Sequence, residues 1–128
     1  MPAMDLFEYA VVRVVPRVER EEFLNVGVVL CCPAQHFLQT RFEFSQERLR
    51  AFAGTDLDVW DLTARLGAFE CICRGRPDGG PIGRLPLASR FRWLTATRST
   101  IVQTSFVHPG LCHNAAQTLE RLHTQLVG

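Results

Sequence analysis

The sequence contains no lysine, so all 14 of its basic side chains are arginine. Without lysine, neither Schiff-base chemistry nor a phosphate-binding loop that depends on a lysine is possible. The sequence also lacks a Walker loop, a G-x-S-x-G nucleophile elbow and a G-x-G-x-x-G dinucleotide fingerprint. These absences remove the usual sequence signatures of phosphoryl transfer, serine hydrolysis and dinucleotide binding. We therefore assign no catalytic residue from the sequence.

A leader segment and long apolar runs are absent as well. The start of the chain has no basic region followed by an apolar one, so we expect no secretory signal. The longest uncharged apolar run, Val26 to Ala34, falls well short of the roughly 20 residues that a bilayer span requires. The chain has 5 cysteines, an odd number that does not suit a disulfide framework. We expect a cytoplasmic protein with free thiols.

The cysteines and histidines are poorly placed for a metal ion. Cys31 and Cys32 are neighbours on a predicted strand and would point to opposite faces. Cys71 and Cys73 would diverge around a predicted helix. No C-x-x-C pair is present to complete a tetrahedral zinc site. We predict no metal and no cofactor.

The apolar content is sufficient for one folded domain: of 128 residues, 47% are hydrophobic and 21% are charged. Uncharged or nearly uncharged runs over residues 7–15 and 25–32 predict two strands covered on both faces, and hence central strands. Residues 37–44 alternate between apolar and polar, which predicts a third strand with one wet face. Residues 99–107 are rich in β-branched side chains and predict a fourth strand.

Helices are predicted between and after these strands. Ser45 is placed to cap one helix, and a longer helix with an apolar stripe follows and ends at Gly75. Residues 76–86 are rich in proline and glycine and predict a flexible loop, and residues 89–94 predict a short turn or helix. Asn114 is placed to cap a last helix.

The order β-β-β-α-α-β-α predicts a single α+β domain, 1–128, with a mostly antiparallel four-stranded sheet and helices packed on one face. A second copy of the chain is one way to cover the open face, so a homodimer is a hypothesis.

The near-neutral net charge of +1 conceals an uneven distribution. Nine arginines and twelve acidic residues precede Gly79, whereas residues 79–119 hold four arginines and no acidic residue. Those four arginines must pair with the acidic part of the chain, with solvent or with an anionic partner. This asymmetry is the main functional indication in the sequence.

Residues 90–93, Arg-Phe-Arg-Trp, alternate guanidinium and aromatic groups. Such a pattern suits nucleic acid, because arginines contact phosphates while aromatic rings stack on bases. The alternative is that the two aromatic residues anchor the core and the arginines lie along the surface. Further along, Arg98, Ser99 and Thr100 offer a fork-shaped donor and two hydroxyls, which suit a phosphate or carboxylate or a simple turn.

A second group of polar residues surrounds the first strand and the connection after it. Arg13 interrupts an apolar strand, so it needs a carboxylate, a carbonyl or a ligand. A buried Arg–Glu pair that fixes the connection is one interpretation. The other is an anion site that uses Arg13 and Arg20, with Glu22 and Asn25 orienting them.

Two stretches of the chain together resemble the bacterial family called domain of unknown function 3037. The first consists of residues 9–16 and 22–30, and the second of residues 91–94 and 98–105. The residues that match recurring positions of that family include Arg13, Glu22, Asn25, Gly27, Arg92, Arg98, Ser99 and Thr100. Members of the family are often encoded beside a HipA-like kinase, and the resemblance therefore implies an accessory or partner role.

Two functions are compatible with these observations. The first is a non-enzymatic interaction module that binds an acidic protein partner, such as a HipA-like kinase, or a phosphate-bearing ligand. Its binding residues would be Arg13, Arg20, Glu22, Asn25, Arg92, Arg98, Ser99 and Thr100. The alternative is a nucleic-acid-binding protein or a phosphate-processing enzyme with an Arg/Glu site, in which burial would raise the pKa of Glu22 for acid–base work.

Overall fold

The computed structural model describes residues 3–16, 22–53, 58–75, 79–96 and 100–127. Within them the strands are β1 (Asp5–Val14), β2 (Leu24–Cys32), β3 (Phe37–Phe42), β4 (Val102–Thr104) and β5 (His108–Cys112). The helices are α1 (Gln46–Ala53), α2 (Val59–Arg74), α3 (Gly80–Gly83), α4 (Leu87–Leu94) and α5 (Ala115–Leu126). No helix in the described part of the chain is long and apolar enough to cross a membrane.

One antiparallel sheet organises the domain. Its order is β3-β2-β1, and both β4 and β5 pair with the free edge of β1. β4 pairs with the end of β1 that holds Arg13, and β5 pairs with the end that begins at Asp5. The α+β class and the antiparallel sheet predicted from the sequence are confirmed.

β2 and the second half of β1 are covered on both faces, as their largely apolar sequences predict. On one face, Val29 and Cys31 of β2 belong to a core cluster that α2 and α4 complete with residues such as Phe69 and Phe91. On the other face, Val28 and Leu30 pack with residues of α5. Alternation along a strand places neighbouring residues on opposite faces, so each face of β2 requires its own helical layer.

The expectation that the helices pack on one face is therefore wrong. Leu119 and Leu122 of α5 lie in the core cluster on the face opposite to α2 and α4. The physical reason is the composition of β2, which carries apolar residues at odd and even positions alike. One helical layer would have left half of them in water.

The helix ends largely follow the predicted capping residues. The Ser45 hydroxyl accepts a hydrogen bond from the backbone N–H of Arg48 at 3.0 Å, and the Asn114 side chain accepts one from Gln117 at 3.0 Å. Gly75 ends α2 in the left-handed conformation, with a φ of 68°. The segment expected to be a loop over residues 76–86 contains the single-turn helix α3. This helix begins at Gly80, and Pro81 lies in its first turn.

The fourth strand differs most from the sequence prediction. Instead of one strand over residues 99–107, the chain forms β4, a short break at residues 105–107, and then β5. The sequence does not indicate β5 as a strand, because Pro109 and Gly110 favour a turn. The odd-numbered residues of β1 direct their backbone N–H and C=O groups toward the side where β4 and β5 lie. Pro109 is opposite the even-numbered Glu8, so its nitrogen faces away from β1, where no N–H donor is required. A proline there also blocks pairing with another chain.

Gly27 allows β2 and β3 to approach closely at a β-bulge. Val12 of β1 lies opposite Gly27, and Arg13 lies opposite Asn25, so Val26 is the additional residue on β2. A Cβ atom at Gly27 would lie 2.4 Å from the carbonyl oxygen of Arg41 and 2.5 Å from the Phe42 ring. Because one of these neighbours is backbone, the strand itself would have to move.

We predict that Gly27→Ala destabilises the domain by about 1–3 kcal/mol, the usual cost of overpacking a filled site. The matched control is Gly67→Ala in α2, where an added Cβ meets nothing within 4 Å. That control should raise stability by about 0.5–1 kcal/mol, because alanine is the better helix former. Urea unfolding of both variants measures the difference, and equal stability of the two would contradict the close approach.

Candidate functional site

Arg13 lies on the face of β1 opposite to the core residues Val12 and Val14. In the sheet it stands between Asn25 of β2 and Gln103 of β4. The side chain is half-buried, and its guanidinium carbon lies 4.0 Å from the centre of the Phe23 ring. This cation–π contact is the interaction that holds the arginine in place.

The charge of Arg13 has no acidic partner among the described residues. Its Nε atom is buried and has no hydrogen-bond partner in that part of the chain. Burial lowers the pKa of the guanidinium, although an arginine remains protonated under any ordinary condition. The Arg–Glu pair that the sequence allowed is thus not formed within the described residues. The folded chain thus moves the Arg13 cation part of the way out of water, and no anion within the described ranges compensates it.

A cavity of about 380 Å³ opens beside Arg13 at the β4 edge of the sheet. It is lined by Arg13, Thr95, Ala96, Gln103, Thr104, Ser105, Phe106 and Val107. These residues supply one guanidinium, one amide and several hydroxyl groups, and none of them is acidic. The hydroxyls of Thr95 and Ser105 already donate to the carbonyls of Phe91 and Phe106, so the main donor that this wall offers to a carboxylate or a phosphate is Arg13.

Ser105 shapes this cavity by replacing part of the strand ladder. Its backbone N–H donates to the carbonyl of Val11 at 2.8 Å, and its hydroxyl accepts from the N–H of Val11 at 2.9 Å. The same hydroxyl donates to the carbonyl of Phe106 at 2.9 Å. The chain bulges here between β4 and β5, so the Phe106 side chain points into solvent and is 88% exposed.

Asn25 connects the strand beside Arg13 to the end of α5. Its Nδ2 donates to the carbonyl of Leu126 at 3.2 Å, and its Oδ1 is buried without a partner in the described residues. An unpaired donor on Arg13 and an unpaired acceptor on Asn25 therefore occupy directly opposite positions of two strands. This pair is the part of the predicted site that the structure brings together.

The remaining predicted residues are placed differently. Glu22 is exposed and has no ion pair with the residues that the structure describes. Arg92 is exposed on α4 and does not line the cavity beside Arg13. The Thr100 hydroxyl donates to the carbonyl of Val102 at 2.7 Å, which supports the turn interpretation of this threonine. Arg20, Arg98 and Ser99 lie outside the described residues.

The Arg-Phe-Arg-Trp stretch forms part of α4, so its residues do not alternate between two faces. Phe91 is buried in the core, as the core-anchor interpretation predicts, but Trp93 is 39% exposed, so that interpretation is wrong for the second aromatic residue. Arg90 turns inward, and its Nη1 donates to the carbonyls of Ile72 and Cys73 at 3.0 and 2.7 Å. This arginine caps the end of α2 and is not available as one of a row of phosphate contacts.

A smaller cavity of about 180 Å³ lies between α2, α4 and β4. Apolar side chains form most of its wall, among them Phe69, Ile72, Leu94 and Val102, with Trp93 at one side. Ala96, Gln103 and Thr104 line this cavity and the one beside Arg13. The two spaces therefore adjoin at the edge strand.

Sequence reasoning did not identify Gln103, Ser105 or Phe106 as site residues. A signal was present, since Gln103 and Ser105 place two polar side chains at alternate positions of a predicted strand. Their face could not be related to Arg13 without the register of β4 against β1. No group of three or more His, Cys, Asp or Glu side chains among the described residues could hold a metal ion.

These features define a small α+β domain with an arginine-lined cavity at the edge of its sheet. The family model described as "Protein of unknown function (DUF3037)" matches residues 9–127 of the chain. The chain belongs to this family, as the resemblance in its two longest matching stretches indicates. No curated protein and no solved structure matches it.

We predict that Ser105→Ala destabilises the domain by about 1–3 kcal/mol, because the buried N–H of Val11 would lose its acceptor. Thr63→Ala is the control, since the Thr63 hydroxyl bonds only to a carbonyl of its own exposed helix turn. That substitution should change stability by less than about 0.5 kcal/mol. Thermal or urea unfolding distinguishes the two, and a neutral Ser105→Ala would show that the bulge does not need the hydroxyl.

Proposed function

We propose that the protein is a non-enzymatic binding module that holds an anionic group, a carboxylate or a phosphate, against Arg13. The observation that carries the proposal is the half-buried Arg13, whose buried Nε has no partner among the described residues and which belongs to the wall of a cavity with no acidic side chain among its described residues. The anion belongs either to a free ligand or to an acidic segment of a protein partner. The free cysteines of the described chain favour a reducing, cytoplasmic setting.

The energetics of Arg13 favour an incoming anion. The side chain has already lost part of its hydration in the folded protein, so binding removes less water from it than from an exposed arginine. A hydrogen bond between guanidinium and an oxyanion is charge-assisted and roughly twice as strong as a neutral one. The acid-free stretch of residues 79–119 supplies most of the cavity wall, so no carboxylate of that wall competes for the site.

The same wall supports binding more than catalysis. Among the lining residues that the structure describes, Arg13 alone has an ionisable side chain, and an arginine cannot act as a base at neutral pH. The Ser105 hydroxyl is committed to backbone groups on both sides. A phosphate-processing enzyme with an Arg/Glu site would require Glu22 to lie inside the pocket, and Glu22 is exposed and absent from the cavity wall.

Phe106 supports the interaction of this site with a protein. An exposed aromatic side chain at the rim of a pocket that also contains an arginine is a common arrangement at protein interfaces, where both residue types are enriched. The resemblance to a family encoded beside HipA-like kinases makes an acidic surface of such a kinase our proposed partner.

A homodimer stays a prediction. Leu6 of β1 and Leu111 of β5 are paired in the sheet and exposed, so a second copy would find an open apolar surface there.

Binding of simple anions tests the role of Arg13 directly. We predict that inorganic phosphate and acetate shift the Nε–H resonance of Arg13 in NMR titrations, and that Arg13→Gln weakens their binding about tenfold or more, the loss of one charge-assisted hydrogen bond. Arg92→Gln removes an exposed arginine from outside the cavity and should leave the affinity within about twofold. Equal effects of the two substitutions would contradict a specific site.

Co-expression with a HipA-like kinase tests the proposed protein partner. We predict a complex whose dissociation constant rises about 5- to 150-fold in Phe106→Ala, corresponding to about 1–3 kcal/mol for an interface aromatic. Trp60→Ala is the control, because Trp60 is 89% exposed on α2 and lines neither of these cavities. If no complex forms, but phosphate and acetate bind to Arg13, the anion belongs to a free ligand.

A further inference from the structure

The apolar cavity between α2, α4 and β4 is a surface pocket that opens to solvent past the exposed residues Ala68 and Ala96. Its volume is about 180 Å³, and it lies against Phe69, Leu94 and Val102. An apolar cavity of about 150 Å³ is sufficient to bind a benzene ring in a folded protein.

The shape of this space limits its occupant to one ring or a short branched alkyl group. Polar side chains, among them Thr100 and Gln103, lie in the part of the wall that belongs to the segment before and within β4. Arg65 also lines the cavity, but its Nε is bonded to the Asp61 carboxylate at 2.9 Å. The charge of Arg65 is therefore compensated, and this cavity has no free cation of its own among the described lining residues.

Arg13, whose charge no described acidic residue compensates, belongs to the wall of the adjoining cavity. Ala96, Gln103 and Thr104 line both spaces, so the two are separated by no more than the thickness of these residues. β4 is only three residues long and pairs on one side only among the described strands. A small molecule could therefore extend around this edge from the apolar cavity to the guanidinium of Arg13.

We propose that the two cavities form one bipartite site for a small amphipathic acid: an aromatic ring in the apolar cavity, a short linker at Gln103 and Thr104, and a carboxylate on Arg13. This inference rests on the proposed anion-binding function and names its ligand class. Each half of the site is incomplete by itself. The apolar half lacks a group to orient its occupant, and the arginine half lacks apolar surface to add affinity.

A series of simple probes tests the bipartite arrangement. We use 3-phenylpropionate as the complete probe, acetate as its acidic half, toluene as its apolar half, and 3-phenylpropanamide as the uncharged analogue. Binding is followed by NMR, at the indole N–H of Trp93 for the apolar cavity and at the Nε–H of Arg13 for the other. We expect 3-phenylpropionate to shift both resonances and to bind about tenfold more tightly than acetate or the amide.

Two variants show which part of the site binds the carboxylate and which part binds the phenyl group. Arg13→Gln should abolish the preference for the acid over the amide and leave toluene binding within twofold. Ala68→Leu should fill the apolar cavity from its exposed rim, so that the phenyl group no longer adds affinity and acetate binding is unchanged. Trp60→Ala, on the same helix but outside the cavity wall, should alter none of these affinities. Unfolding curves confirm that each variant is folded. If Ala68→Leu does not fold, Ala68→Val provides a smaller side chain to fill the cavity.

The outcomes separate this inference from the function on which it rests. If 3-phenylpropionate binds no better than acetate, and acetate binding depends on Arg13, the anion site stands and the bipartite site is wrong. If the phenyl group adds affinity that Ala68→Leu does not remove, the apolar half lies elsewhere and the inference is likewise wrong. If no anion depends on Arg13, both proposals are wrong.

Discussion

The burial of β2 on both of its faces is the constraint on which the rest of the structure depends. A strand with apolar side chains at odd and even positions can be stable only between two layers, and α2 with α4 on one side and α5 on the other provide them. The central place of β2 and β1 then fixes β3 on one side and leaves the far edge of β1 for β4 and β5. The candidate site lies where this edge is interrupted.

That interruption links the fold to the site. Because Ser105 supplies a side-chain oxygen to Val11 in place of a regular ladder contact, the chain can bulge without leaving a buried N–H unpaired. The bulge turns Phe106 outward and separates β4 from β5, which opens the space beside Arg13. Arg13 can occupy a central strand at this point because its side chain stays half-buried and its guanidinium packs on the exposed ring of Phe23.

Much of the local structure could be predicted from the sequence because its causes are local. Ser45, Gly75 and Asn114 act at helix ends through their own side chains or backbone conformations, so single residues were sufficient to indicate them. β5 could not be predicted in this way. Pro109 and Gly110 favour a turn in isolation, and they are compatible with a strand only because β1 offers an edge at which the proline needs no donor.

The candidate site also combines properties that follow from the sequence alone with properties that depend on the tertiary structure. The sequence by itself determined that an arginine interrupts an apolar strand, that lysine chemistry is absent, and that the second part of the chain holds no acidic residue before Glu120. Those properties depend on composition and short-range pattern. The tertiary structure alone decided that Asn25 and Gln103 flank Arg13, that Arg90 is used to cap a helix, and that two cavities adjoin at β4. These relations depend on strand register and on contacts between residues far apart in the chain, which no local pattern encodes.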